Sequence, residues 1–239
     1  MALILNIDTA TENASVSLCL DGISIAFMEN KEQREHAGWV HMAISKLSEQ
    51  ANIPLEKLQA TAVSSGPGSY TGLRIGMATA KGLCYALDIP LITENTLRLM
   101  AAGMSEHNKD FNPGNNLPVL FCPMLDARRS EVFTAIFDKD LLEILPPGAL
   151  VPDGTVFAYY LQNNNVLFSG SGSKKWKVLC DHPRAHFKEG IYDSSEGIYN
   201  SDDLGKLAEQ KFQQNNFTDL AYAEPLYLKE FFTYKKNEL

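Results

Sequence analysis

Residues 3–20 read LILNIDTATENASVSLCL, and the order of residue types within them decides the fold. Leu3 to Ile7 is an apolar run, Asp8 to Asn13 is polar, and Ala14 to Leu20 is again β-prone before the turn formers Asp21-Gly22 and a further apolar run, Ile23 to Phe27. This predicts a buried strand ending in an aspartate, a tight polar turn and a hairpin. The same order returns later: Val119 to Leu125 is apolar, Asp126-Ala127-Arg128-Arg129 is a polar turn, and Glu131 to Phe137 is a strand. Two occurrences of one unit in an α/β chain point to two related lobes and away from one uniform sheet.

Between the two units, apolar residues at Ala37, Val40, Ile44, Leu47 and Ala51 recur at helical spacing and predict a first helix over about 35–50. A short strand at Thr61 to Ser64, a break at Gly66-Pro67-Gly68, and a second helix from Thr71 to Leu87 follow, then a strand at 90–93 and a helix at 96–104. The polar stretch SEHNKDFNPGNNLP (105–118) marks the lobe boundary. The first lobe is placed at 1–104 and the second, smaller one at 117–218. The second lobe includes a Pro/Gly loop at 146–154, a strand at 166–169, the turn Gly170-Ser171-Gly172 and a helix near 202–213. The last segment, 219–239, is expected to return to the first lobe.

With 239 residues, 45% of them hydrophobic and 21% charged, the chain is long enough for two cores and well outside the disordered range. Its net charge of −8 argues against autonomous binding to nucleic acid, which calls for a basic protein. Cys19, Cys84, Cys122 and Cys180 are scattered, with no CxxC pair, so neither a zinc ribbon nor a disulfide framework is expected, and a reducing cytoplasm fits. The first residues carry no basic leader and their apolar run breaks at Asn6 and Asp8, so neither a signal peptide nor a membrane span is expected.

Four features carry candidate chemistry. The turn at Asp8–Asn13 is similar to the Asp-x-Gly-Thr-Thr turn that holds metal and phosphates in actin-like ATPases. Here Ala10 stands where glycine would allow close approach, and Glu12 would repel a phosphate at ~4 Å by about 1 kcal/mol even in water. The loop Ser64–Gly76 opens the second helix and exposes backbone N–H groups, but lacks the Gly-Lys-Ser/Thr ending of a phosphate loop. A strand-to-helix turn capped by Ser69 or Thr71 is the competing reading. On the second helix, Gly72, Gly76, Ala80 and Leu83 share one face and Ile75, Ala78, Gly82 and Ala86 another. Each helical glycine costs roughly 1 kcal/mol, so close packing on more than one side is expected, either within the chain or against a second subunit. Finally, His36 and His41 lie about 140° apart on a helix, while His182 and His186 flank Pro183, so no metal site is expected. No GxSxG elbow is present and Cys84 falls in an apolar helical pattern, so no catalytic nucleophile is expected either.

The stretches ILNIDTATENASVSL (4–18), SSGPGSYTGLRIGMATAKGL (64–83), DARRSEVF (126–133), SGSG (169–172) and EPLYLK (224–229) resemble, in order and over nearly the full length, the TsaB family, also called YeaZ-type. That resemblance implies an α/β fold of two ribonuclease-H-like lobes in the actin-like ATPase (ASKHA) superfamily. It implies a role in forming threonylcarbamoyladenosine on transfer RNA as a non-catalytic partner of a TsaD-like transferase, with a TsaE-like ATPase in a larger complex. It implies no cofactor. A homodimer is the other assembly considered, and a stand-alone ATPase or M22-type glycoprotease-like enzyme the competing function. The resemblance further implies that the first two helices form the dimer surface, expected at Val40, Ile44, Leu47, Gly72, Leu73, Gly76, Ala80 and Leu83. A vestige of nucleotide binding is expected at Asp8, Thr9, Thr11, Gly170 and Gly172.

Overall fold

The computed structural model describes residues 1–31, 36–153, 155–188 and 199–229. The first sheet consists of β1 (Leu3–Asp8), β2 (Ala14–Leu20), β3 (Ile23–Asn30), β4 (Ala60–Gly66) and β5 (Leu91–Asn95), in the order β3-β2-β1-β4-β5. The second consists of β6 (Val119–Asp126), β7 (Val132–Phe137), β8 (Glu143–Leu150), β9 (Asn165–Ser169) and β10 (Ala185–Lys188), in the order β10-β9-β6-β7-β8. Counted from its own first strand, each sheet has the same connectivity: an antiparallel meander of three strands on one side and two parallel strands on the other. The recurring strand-aspartate-turn-strand unit is the start of each meander.

All six residues of β1 are buried, as befits the central strand of a sheet covered on both faces. One face is covered by α1 (His36–Ala51) and α2 (Tyr70–Leu87), with Val40, Ala43, Ile44 and Leu47 packed against Leu5, Ile7, Val16 and Leu18. Each such aliphatic side chain contributes on the order of 1.5–3 kcal/mol by leaving water. Ser69 caps α2, its hydroxyl accepting from Gly72 N at 3.2 Å, and Asp88 in the left-handed region ends it.

Two further helices cross between the sheets. α3 (Thr96–His107) follows β5 and sends Leu97, Met100 and Met104 into a core with Phe121, Leu125 and Phe137 of the second sheet. Its Leu99 packs the other way, with Ile4, Ala62, Ile92 and Leu204. α6 (Ser201–Gln213) follows the second sheet yet packs along β1, β2 and β3 of the first. The assignment of the 202–213 helix to the second lobe is therefore corrected. Its apolar stripe, Leu204, Leu207 and Ala208, matches the outer face of β1 and β4, and a capping box of Asn200 and Asp203 fixes its start. Glu94, 3% exposed, accepts from Arg98 of α3 at 2.9 Å and Lys211 of α6 at 3.0 Å, so the crossing helices share one buried anion.

The Pro/Gly loop expected at 146–154 is in part the edge strand β8. Pro146 and Pro147 fall between its pairings Ile136–Leu145 and Thr134–Gly148, where the register shifts, and an edge strand tolerates the missing N–H groups. The short helices α4 (Ala158–Leu161) and α5 (Ser173–Lys177) complete the second lobe, whose inner core centres on Phe157, Phe168 and Trp176. No helix among the described residues is long and apolar enough to cross a membrane.

Candidate functional site

The polar turn after β1 is pressed directly against the N-terminus of α2. Ala10 O accepts from Ser69 N at 2.7 Å, and the Thr9 hydroxyl donates to Gly72 O at 2.7 Å. A Cβ at Gly68 would stand 2.2 Å from Ala10 O, and one at Gly72 would stand 2.0 Å from Thr9 O. The glycines of GPGSYTG are therefore required by backbone-to-backbone packing. The Asp8 carboxylate accepts from the Ser64 hydroxyl and from Ala10 N. The Asp8 carboxylate and the Thr9 hydroxyl are thus already bonded within the chain.

The two lobes enclose a cleft of about 900 Å³ lined by Ala10, Thr11, Glu12 and residues 68–71 from the first lobe, and by Asp126, Arg128, Arg129, Phe133 and Ser171 from the second. Of the five residues expected to retain a nucleotide contact, Thr11 lines this cleft. Asp8 and Thr9 are buried beneath it, and Gly170 and Gly172 are buried in the second lobe. A Cβ at Gly172 would meet the Leu125 carbonyl at 2.9 Å, so this glycine serves the approach of the turn to β6.

The second-lobe turn is tightly held. Lys175 donates to the Asp126 carboxylate at 2.7 Å and to the carbonyls of Arg129 and Glu131 at 2.9 Å each. Lys229 reaches the Glu131 carboxylate and the Ala127 carbonyl. Burial pushes the Asp126 carboxyl up, but the Lys175 ammonium and the Arg128 N–H outweigh it and leave the group below the usual aspartate range. These bonds hold Arg128 and Arg129 at φ of 64° and 50°, a left-handed conformation that residues with a Cβ adopt at a cost of roughly 1–2 kcal/mol each.

Beside this turn, the segment 224–229 runs along the mouth of the cleft. Leu226 N donates to Ser65 O at 2.7 Å, and Gly66, at φ 112°, leaves room for the Leu226 carbonyl. Arg74 lies over the Tyr70 ring, 3.8 Å from its centroid, and donates to the Tyr227 hydroxyl at 3.1 Å. Sequence reasoning missed this cluster, because it joins positions 153 residues apart in the chain and no periodicity links them.

The helix pair requires a correction. Val40, Ile44, Leu47, Gly72, Leu73, Gly76 and Ala80 are all buried within the chain, and Leu83 is half-buried. Gly76 faces the sheet, where a Cβ would lie 2.4 Å from Thr9 Oγ1 and 3.3 Å from Val63 Cγ2. Both faces of α2 are rich in small residues, and the one expected as the dimer surface on the family resemblance is the one turned to the sheet. The outward face is the other: Ala78, Gly82, Tyr85 and Ala86 of α2 beside Gly38, His41, Met42 and Ser45 of α1 are exposed. A groove of about 290 Å³ runs between the two helices, lined by His41, Ser45, Ala78, Gly82 and Leu83. Among the described residues, nothing lies within 4 Å of a Cβ built at Gly38 or Gly82.

Among the described residues, neither the histidines nor the cysteines come together as a group of metal ligands. His186 packs edge-on against Phe111, with ring centroids 5.0 Å apart, and its Nε2 lies 3.3 Å from Asn165 Oδ1. The His36 side chain lies outside the described residues, and among those residues no group of three His, Cys, Asp or Glu could hold a metal ion. Burial pushes the thiols of Cys19 and Cys122 up to about 11 and about 12, and raises that of Cys84, so the reactive thiolate is disfavoured at neutral pH.

Residues 30–231 match the family described as "TsaD: tRNA N6-adenosine threonylcarbamoyltransferase". The chain is 28% identical over 239 residues to the tRNA threonylcarbamoyladenosine biosynthesis protein TsaB of Escherichia coli (strain K12), covering 98% of this chain and 97% of that protein. It is 32% identical over 186 residues to the protein of the same name from Bacillus subtilis (strain 168), covering 74% and 75%. A crystal structure of an uncharacterized protein with similarity to peptidase YEAZ from Pseudomonas aeruginosa superimposes with a TM-score of 0.79 at 21% identity, over 96% of this chain and all of that one. The α/β fold of two five-stranded sheets with matching connectivity is shared with that structure.

Proposed function

Because this chain belongs to the TsaD family and, within it, to the TsaB (YeaZ-type) group of tRNA threonylcarbamoyladenosine biosynthesis proteins, we propose that it is a non-catalytic subunit that pairs with a TsaD-like transferase. The observation that carries this reading is the contrast between a closed site and an open surface. Asp8, Thr9 and Ala10, in the turn where an actin-like ATPase would take phosphates, are spent on bonds within the turn and against the start of α2. The outer faces of α1 and α2 carry Gly38, Ala78, Gly82 and Ala86 in exposed positions. Small residues there allow a second helix pair to come close, and exposed Met42 and Tyr85 supply apolar area at the edges. The partner surface is thus proposed on the Ala78–Gly82 face. A TsaE-like ATPase joins the pair in a larger assembly, and the whole works in the cytoplasm, where transfer RNA is modified.

The test is co-expression with the organism's TsaD-like protein followed by gel filtration. The wild-type chain is expected to co-elute, and Gly82→Leu is expected to abolish co-elution while leaving the free chain folded, since its side chain meets open space. Co-elution that survives Gly82→Leu and Ala78→Leu together overturns the proposed surface. If the isolated chain forms a dimer that the same substitutions break, the face serves self-association instead. Calorimetry of the isolated chain with ATP and magnesium addresses the rival ATPase: micromolar binding with turnover would replace the subunit reading.

A further inference from the structure

We propose that the turn at residues 219–223, with Tyr222 at its tip, is a second part of the surface that takes the TsaD-like subunit, and that the Tyr222 ring enters an apolar socket on that partner. The inference rests on the reading that the Ala78–Gly82 face of α2 meets the partner. It extends that face by an element from the far end of the chain.

The segment after α6 lies along α2. It leaves the edge of the first sheet where Thr218 N donates to Leu91 O at 2.8 Å, and it reaches the mouth of the cleft where Arg74 donates to Tyr227. Between these points Lys81 donates to Ala221 O at 3.3 Å and to Ala223 O at 2.9 Å. At 3.6 residues per turn, Lys81 stands about 60° from Ala78 and about 40° from Tyr85 around the helix. Thr79 and Leu83, which line the groove shared with α1, lie on the other side of these exposed positions. The strip of Ala78, Gly82 and Tyr85 therefore has α1 on one flank and the 219–223 turn on the other. A subunit that comes close enough to use its small residues meets both flanks.

The turn is built to hold its tip. Asp219 Oδ1 accepts from Ala221 N at 2.8 Å, and Asp219 O accepts from Ala223 N at 2.9 Å. Leu220 and Ala223 pack inward on the first-lobe core, while Tyr222 between them is 85% exposed. The Lys81 ammonium, half-buried, is spent on two backbone carbonyls, a charge-assisted grip on the base of the ring. A large ring fixed at its base loses little freedom on binding, so its burial adds to affinity with little cost of ordering the loop. The socket it fits has apolar walls and a hydrogen-bond acceptor for the hydroxyl at its rim. Tyr159, also strongly exposed, differs: its ring packs edge-on against Tyr160 in the second lobe, with centroids 5.4 Å apart.

The experiment measures the affinity of the full-length chain for the purified TsaD-like protein by biolayer interferometry. Tyr222→Ala is expected to raise Kd about tenfold or more, as loss of an anchoring aromatic does, and Tyr222→Phe to keep most of the affinity. Tyr159→Ala is expected to leave Kd unchanged. Circular dichroism checks that each variant folds. Hydrogen-exchange mass spectrometry of the complex is expected to show slower exchange at residues 221–223 than in the free chain. An unchanged Kd for Tyr222→Ala, or equal exchange at 221–223 in the two states, would overturn the proposal. If Gly82→Leu abolishes binding while Tyr222→Ala leaves it intact, the extension fails and the subunit reading stands; if neither substitution weakens binding, the Ala78–Gly82 face fails with it. Self-association that Tyr222→Ala breaks while binding to the transferase persists would assign the ring to a second copy of this chain, and would also overturn the proposal.

Discussion

Adding one methyl group to each of two glycines of α2 is expected to move stability in opposite directions. At Gly82 a Cβ meets nothing within 4 Å among the described residues, so Gly82→Ala gains only the helix preference and lower unfolded-state entropy, about 0.5–1 kcal/mol. For a chain of this size that raises the melting temperature by roughly 2–4 °C. At Gly76 the same gain meets Thr9 Oγ1 at 2.4 Å and Val63 Cγ2 at 3.3 Å. Thr9 is fully buried and its hydroxyl donates to Gly72 O. Moving that hydroxyl aside breaks a buried hydrogen bond, which costs about 1–3 kcal/mol, and squeezing Val63 adds to it. The net expectation for Gly76→Ala is a loss of about 1–3 kcal/mol and a melting temperature lower by roughly 2–10 °C. Removing the obstructing oxygen with Thr9→Ala should restore much of the loss, so the double variant is more stable than the sum of the two singles by over ~1 kcal/mol. Calorimetric melts of the four variants and the wild-type chain settle the matter. If Gly76→Ala rises in step with Gly82→Ala, or if the cycle is additive, Gly76 does not face Thr9 and the assignment of the two α2 faces fails.

Other perturbations follow from individual contacts. His107 of α3 lies 3.5 Å from the Asp203 carboxylate of α6; that hydrogen bond raises its pKa above the ordinary 6.5, burial and Lys206 pull the other way, and Glu106 adds to the rise. A raised histidine pKa stabilises the fold fully below the unfolded value, and the contribution fades as pH rises through the folded value. His107→Gln should therefore lower the melting temperature more at pH 5.5 than at pH 8.5, and an equal drop at both would contradict the pairing. Lys229→Met should speed amide exchange at Ala127, Glu131 and Leu226 while sparing β1, read by hydrogen-exchange mass spectrometry; unchanged exchange at the turn would show that Lys229 does not clasp it.

The fold was legible because its signals are local. Each meander begins with an apolar run, an aspartate and a polar turn, and β1 and β6 stand where those runs are. The glycine-rich loop was legible as a strand-to-helix turn, capped by Ser69. What misled was pattern without depth. Gly72, Gly76 and Ala80 look like an interface because small residues on a helix permit close approach, and they do permit it, but by β1 and β4 and not by another subunit. Ala78 and Gly82 have the same composition one face round. The crossing of α6 to the first sheet was hidden for a related reason: its stripe of Leu204, Leu207 and Ala208 fits either sheet, and adjacency in sequence favoured the wrong one. The Tyr70–Arg74–Tyr227 cluster depends on where the last described segment returns, which is a property of the closed chain and of no single window.

The crossing of α3 and α6 has a consequence for how the chain can be divided. Cut at the loop near residue 114, the first fragment keeps its five strands but loses α6, the layer that covers Ile4, Ala60 and Ala62 on one face. The second fragment loses α3 and leaves Phe121, Leu125 and Phe137 uncovered. Each half would expose an apolar sheet face for which the other half holds the lid. Expressed apart, the fragments should aggregate; produced together in one cell, they should find each other and rebuild the whole molecule without a peptide bond between them.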